Sequence, residues 1–241
     1  MGLARALTSD VRLVLVTSFE VARARWRWLA GAVLATAVLA LVLVQYDRAL
    51  LRAVRTLRSR NLRYWARWFS EWGDFQTGSL ILGVVVLVVG IGLRSAAWRR
   101  AALASVLASS LAGVTSLSLR TVIGRPRPAA KLPDVAHGPS LNYDLHGFPS
   151  SHAATSFGTA SALVVALPVM GVPVAVGAVA VVWSRMYRKR HHPTDVAVGA
   201  MMGILFGVVA GLGARRSLAA GKEIGLESAA SIASAPATPP S

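Results

Sequence analysis

Apolar residues along this chain gather into six windows set between short, strongly basic stretches: Trp28–Tyr46, Gln76–Leu93, Ala101–Leu119, His152–Met170, Gly171–Tyr187 and Val196–Gly213. Each is close to the roughly 20 residues that a helix needs to cross a bilayer. The pattern predicts an all-α fold, a bundle of six transmembrane helices. The first, second and sixth windows carry no charge, whereas the third and fourth contain Ser and Thr, as expected of faces packed inside a bundle. Pro168 and Pro173 divide the fourth window from the fifth. Gly199, Gly203, Gly207 and Gly211 recur every four positions on the sixth and predict a face of close helix approach.

Between the first two windows, residues 47–73 place seven arginines among Leu50, Leu51, Val54, Leu57, Leu62, Trp65, Trp68 and Phe69. The three-or-four spacing predicts an amphipathic helix lying in the headgroup layer. Residues 1–27 read as a basic N-terminal segment leading into a signal anchor. Residues 28–214 form the membrane domain. Residues 215–241 turn to Ala, Ser and Pro, with little to pack, and predict a disordered tail.

Composition narrows the class. The chain of 241 residues is 54% hydrophobic and 15% charged, a balance that points to an integral membrane protein. The absence of cysteine excludes disulfides and thiolate metal sites. A net charge of +16 calls for an anionic partner. Because the cations lie between hydrophobic runs rather than on a polar domain, membrane lipid headgroups or phosphorylated substrates fit better than nucleic acid.

Counting crossings places three polar clusters on one membrane face. RTVIGRPRP (120–128) begins where the third window ends, GFPSSH (147–152) ends where the fourth begins, and SRMYRKRHHPTD (184–195) joins the fifth to the sixth. Arg120, Arg125, Arg127 and Arg185 suit a substrate bearing several negative charges, since guanidinium groups bind phosphate oxygens in bidentate fashion. Arg188, Lys189 and Arg190 read instead as cations snorkelling at a helix end. Ser150 is a good cap for a helix starting at Ser151, whose free N–H groups can hold an anion, with His152 in the first turn. Pro193 suits the first turn of the last helix, leaving His191 just outside it and Asp195 close enough to reach back. A carboxylate on one ring nitrogen would leave the other free to attack. Histidines and a carboxylate also serve as metal ligands, but the surrounding arginines would repel a divalent cation.

Together these residues resemble the type 2 phosphatidic acid phosphatase (PAP2) family. Its signature Lys-x6-Arg-Pro is matched by Arg120, Arg127 and Pro128, with Arg for Lys; Pro-Ser-Gly-His by Pro149, Ser150 and His152, with Ser151 for Gly; and Ser-Arg-x5-His-x3-Asp by Ser184, Arg185, His191 and Asp195. The resemblance covers a motif core at residues 101–213 and implies six spans. It assigns His191 as the nucleophile that becomes a phosphohistidine, Asp195 as its orienting partner, and His152 as the proton shuttle. Arg120, Arg127, Arg185, Ser150 and the Ser151 N–H hold the phosphoryl oxygens, and neither metal nor cofactor is expected. Arg120 keeps the charge of the family's lysine in a different shape, and Ser151 adds a side chain where the backbone approaches phosphate.

These readings predict a membrane phosphatase acting on a lipid phosphate or diphosphate. Phosphatidic acid, phosphatidylglycerophosphate and polyprenyl diphosphate present the same terminal phosphate to it. A noncatalytic lipid-phosphate binder or transporter is the alternative, though it leaves the spacing of the two histidines and Asp195 unexplained. With a cytoplasmic N-terminus, 11 of the 26 Lys and Arg lie inside and 15 on the site's face, so charge bias does not by itself favour an external site. The excess belongs to the interfacial helix and the phosphate ligands, and the resemblance implies a bacterial inner membrane protein with its site on the extracytoplasmic side.

Overall fold

The computed structural model describes residues 2–56 and 59–233, with side chains to residue 220. Among the described residues the regular structure is helical, with no strand. The helices are α1 (Leu3–Ala24), α2 (Trp26–Leu43), α3 (Asp47–Val54), α4 (Arg60–Trp72), α5 (Ile81–Gly92), α6 (Ala96–Ile123), α7 (Ser151–Ala166), α8 (Pro168–Tyr187) and α9 (Pro193–Ala233). A 3₁₀ turn, Val44–Tyr46, joins α2 to α3, and a π-helical turn, Phe75–Leu80, leads into α5.

Among the described residues, five segments are long and apolar enough to cross a membrane: Trp26–Val54, Phe75–Gly92, Ala96–Ile123, Pro168–Tyr187 and Pro193–Ala220. The expected fourth span, 152–170, is shorter than its hydropathy suggested. Leu167 precedes a proline and leaves the helical region (φ −147°, ψ 73°), so α7 stops at 16 residues. At 1.5 Å per residue that is roughly 24 Å, less than the hydrocarbon core of about 30 Å. The α7 helix packs against α6, α8 and α9. A Cβ at Gly199, Gly203, Gly207 or Gly211 would lie 2.3–2.7 Å from α7 or its Ser150 cap, so the glycine stripe is a packing face.

Three parts of the expected outline change: the segment over 47–73, the N-terminal residues and the start of the tail expected to be disordered from residue 215. The amphipathic helix predicted over 47–73 is two helices, because Ser59 accepts from the Leu62 N–H (3.0 Å) and starts α4 anew; Leu57, one of its predicted apolar positions, lies outside the described residues. Within residues 1–27, read as a basic segment leading into a signal anchor, Leu3–Ala24 forms a helix with a buried face of Asp10, Val14, Thr17, Ser18 and Val21. Asp10 bonds both Arg100 (2.6 Å) and Arg99 (2.7 Å) at the start of α6, and Thr17 donates to the Gly213 carbonyl of α9 (2.8 Å). Past Ala214 the helix continues, with Ser217 buried against Arg100. The α2 span has no buried residue, as befits a helix surrounded by lipid.

Candidate active site

The site lies where α6 ends and α7, α8 and α9 converge. Gly124 closes α6 in the left-handed conformation (φ 64°), where a Cβ would meet the Gly138 carbonyl oxygen at 2.0 Å. The chain then enters loop 125–150, held to itself by Arg127 N–H to Asp144 O (2.8 Å) and Gly147 N–H to Arg125 O (2.8 Å). Ser150 caps α7 by accepting from Ala153 N–H, and its own N–H donates to the Asp195 carbonyl (3.0 Å), tying the second cluster to the third.

His191 is buried, and its Nδ1 lies 2.7 Å from the Gly147 carbonyl oxygen. A carbonyl only accepts, so Nδ1 carries the proton and the lone pair resides on Nε2. Burial first, then the charges of Arg185 and Arg127, push His191 well below the ordinary histidine value, so the ring is neutral at pH 7. His152 lies within electrostatic reach of His191, Arg185, Arg127 and Arg120.

Asp195 does reach back, but to the main chain. Its Oδ2 accepts from His192 N–H (2.7 Å) and stands 3.8 Å from His191 Nδ1, too far for a hydrogen bond. Its Oδ1 accepts from Arg125 Nη1 (2.7 Å). Arg125 also grips Asp47 of α3 (2.8 Å) and Asp134 of the loop (2.9 Å). Burial alone would lower Arg125, but Asp134, Asp195 and Asp47 outweigh it and hold the guanidinium above its ordinary range. Arg125 therefore fastens three carboxylates instead of facing a substrate. Asp47 further accepts from Thr194 N–H and Oγ1 (both 2.8 Å), which locks α3 to the start of α9.

The other three arginines are differently placed. Arg185 is buried and donates through Nη1 to Ser70 of α4. Arg127 donates Nε to the Tyr143 carbonyl (3.0 Å) and lies over that ring, 3.9 Å from its centroid. Arg120 projects from the last turn of α6. Six buried side-chain polar atoms among the described residues have no hydrogen-bond partner, and three are Arg120 Nε, Arg127 Nη1 and Arg185 Nε. An unmade buried donor costs on the order of 1–3 kcal/mol, more when charged. Three such donors beside two imidazoles could hold a compact oxyanion.

Ser151 does not obstruct it. Its hydroxyl is paired with Ser116 of α6 (2.9 Å), one turn before Arg120, which draws the side chain onto α6. Asp47, Ser70, Asp134, Gly147 and Ser116 were not singled out from sequence. Asp47 and Asp134 carried a signal in being acids close to basic clusters in a chain with only 10 Asp and Glu; the role of Gly147 is a main-chain one, with no signal in residue type.

Residues 100–216 match the family model described as the PAP2 superfamily. No curated protein matches this chain. Among solved structures, Aquifex aeolicus LpxE is 26% identical with a TM-score of 0.53, the alignment covering 68% of this chain and 93% of that one. The transmembrane PAP2 type phosphatidylglycerolphosphate phosphatase from Bacillus subtilis, at 23% identity and a TM-score of 0.56, shares the fold over 75% of this chain and 92% of its own. The residues from Arg120 to Asp195 all fall inside the matched segment, and this chain is an integral membrane phosphatase similar to the PAP2 superfamily.

Proposed function

We propose that the protein removes a terminal phosphate from a lipid phosphate or diphosphate through a phosphohistidine at His191. The observation that carries this reading is the set of three buried guanidinium donors without hydrogen-bond partners, beside His191 and His152. The Nε2 lone pair of His191 attacks phosphorus and forms the N–P bond as the P–O bond to the lipid breaks. His152 gives its proton to the departing oxygen. It then takes one from water, whose oxygen attacks phosphorus while the N–P electrons return to Nε2 and phosphate departs. Arg120, Arg127 and Arg185 accept the spreading charge, with the Ser151 N–H and Ser150 hydroxyl as further donors. Asp195 acts by fixing the start of α9 and, through its negative charge, by favouring the imidazolium-like phosphohistidine. The mechanism uses neither metal nor cofactor.

A lipid substrate is supported by a cavity of about 420 Å³ that follows α6 from Arg120 past Leu117 and Val114 to Ser110, bordered by Phe75 and His152. Val114 and Leu117 are exposed on the lipid-facing surface, so a tail enters sideways while its phosphate meets the arginines. In this reading α7 completes a sixth crossing, the exposed Tyr64, Trp65 and Trp72 of α4 rest in the headgroup layer, and the site opens on the extracytoplasmic side of a bacterial inner membrane.

The test is phosphate release from a panel of purified lipid phosphates in chelator, with His191→Ala and His152→Ala alongside wild type. We expect His191→Ala to be inactive and His152→Ala to accumulate an acid-labile phosphoprotein. Release by His191→Ala at the wild-type rate would overturn the mechanism, and lipid binding without release by wild type would favour a noncatalytic binder.

A further inference from the structure

A buried guanidinium needs something to hold it in place, and Arg125 and Arg127 are held in two different ways. Arg125 has three carboxylates. Arg127 is 4% exposed, and its closest support is a single residue, Tyr143. The nearby charges of Arg120 and Arg190 repel it. A bound carboxylate would fix Arg127 but also neutralise it and repel an incoming phosphate. Tyr143 instead accepts from Nε through its main-chain carbonyl (3.0 Å) and sets its ring 3.9 Å from Cζ. The negative face of an aromatic ring attracts a guanidinium without cancelling its charge.

The tyrosine is itself fastened on two sides. It opens a single 3₁₀ turn, Tyr143–Leu145, which Asn142 starts by accepting from the Asp144 N–H (3.0 Å). The Asp144 carbonyl takes the Arg127 N–H (2.8 Å), so this turn grips one arginine at its main chain, its Nε and its guanidinium face. On the other side Ser140 donates its N–H to the Thr121 carbonyl (2.9 Å), next to Arg120, and its own carbonyl accepts from His146 Nε2 (2.8 Å). The ring nevertheless stays 54% exposed, so apolar burial does not account for an aromatic residue here. It stands among the cations of the site, within electrostatic reach of Arg120, Arg185 and Arg188 as well.

Resting on the phosphatase reading above, we infer that Tyr143 is a positioning residue for phosphoryl transfer: its ring and carbonyl aim Arg127 at the oxygens of the reacting phosphorus. With Nε engaged by the carbonyl and Cζ held over the ring, the guanidinium cannot swing freely, and the buried, unpaired Nη1 is left as the donor for the anion. A donor set in place beforehand needs no reorganisation as charge spreads in the transition state. The contribution therefore falls on kcat more than on KM. The ring acts through Arg127, and its hydroxyl takes no part.

The experiment compares wild type, Tyr143→Phe and Tyr143→Leu as full chains in nonionic micelles. Phosphate release from a lipid phosphate is measured beside the melting midpoint. Orthovanadate, whose five-coordinate form resembles the phosphoryl transition state, and orthophosphate are titrated by thermal shift. Tyr143→Leu keeps the carbonyl and loses the aromatic face, so we expect kcat to fall about tenfold with KM within about twofold and the midpoint unchanged. Its vanadate affinity should fall about tenfold as well, while orthophosphate affinity stays within about twofold. Tyr143→Phe should match wild type within about twofold throughout. A wild-type kcat for Tyr143→Leu, or a Tyr143→Phe as slow as Tyr143→Leu, overturns the inference. A lowered midpoint with equal loss for both anions makes the residue a support for the loop and also overturns it, as does a wild type that binds neither anion. Because the anion titrations need no turnover, they stay decisive even if His191→Ala proves active and the phosphohistidine mechanism falls.

Discussion

Arg125 and Arg127 stand two residues apart in one short motif, yet the structure gives them opposite energetic roles, and truncating each in turn separates them. Arg125 holds Asp195 at 2.7 Å, Asp47 at 2.8 Å and Asp134 at 2.9 Å, with Asp195 and Asp47 at most 1% exposed. Arg125→Ala leaves two buried carboxylates with only their remaining partners, His192 N–H for Asp195 and Thr194 for Asp47. Breaking a buried pair by removing one member costs about 3–5 kcal/mol. At roughly 2–4 °C per kcal/mol for a chain of this size, the midpoint should fall by about 6–20 °C. Arg127 is also buried, but no carboxylate binds it, and burial with the nearby charges of Arg120 and Arg190 already lowers its pKa. Arg127→Ala removes an uncompensated charge, so its midpoint should stay level or rise, while phosphate release falls about 10²-fold or more, as for loss of a transition-state donor. Tryptophan fluorescence melts in detergent at pH 7, paired with phosphate release, read both effects. Equal destabilisation by the two variants, or a wild-type midpoint for Arg125→Ala, would refute the division of roles.

Other perturbations draw on the same geometry. His191 and His192 are both held below the ordinary value of 6.5, chiefly by burial, so the folded state binds fewer protons than the unfolded chain below that pH. Stability should be full above about pH 6.5 and decline as pH falls beneath it. Melts from pH 8 to 5 check this, and His191→Gln should flatten the slope. Gly199→Ala would put a Cβ 2.4 Å from the Ser150 carbonyl, whereas Gly177 has nothing within 4 Å; the first should cost about 1–3 kcal/mol in chemical denaturation and lower turnover, the second neither. Asp10→Ala strands two largely buried arginines at the face opposite the site, so we expect a loss of about 3–5 kcal/mol with KM unchanged in the surviving enzyme.

The sequence was most legible where a single chemical rule governs. Hydropathy located the long apolar segments, and counting crossings placed three clusters that the structure joins through Ser150 N–H to Asp195 and His191 to Gly147. It was least legible where partners lie far apart in the chain. Helix α1 looks polar because its buried stripe includes Asp10, whose arginine partners are 89 and 90 residues away. The amphipathic pattern across 47–73 could not show the restart at Ser59, since periodicity records a face and not a cap. The 16 residues of α7 were extended in the hydropathy reading because Pro168, Val169 and Met170 are themselves apolar. Asp195 was expected on the imidazole, and its spacing allowed that; the deciding factor was Arg125, whose pull on the other carboxylate oxygen needs the fold to be seen.

The carbonyl of Gly147 has a lasting implication for how this protein tolerates change. A main-chain oxygen neither titrates nor disappears when a side chain is trimmed, so the orientation of the His191 ring is written into the path of the loop and not into any exchangeable group. An alanine scan would pass over it in silence, except as intolerance at that glycine itself, where an added methyl would press on the Arg125 and Pro126 oxygens at 2.7 and 2.9 Å. Insertions or deletions in the loop, rather than substitutions, are then the changes most able to misdirect the chemistry while leaving every named side chain in place.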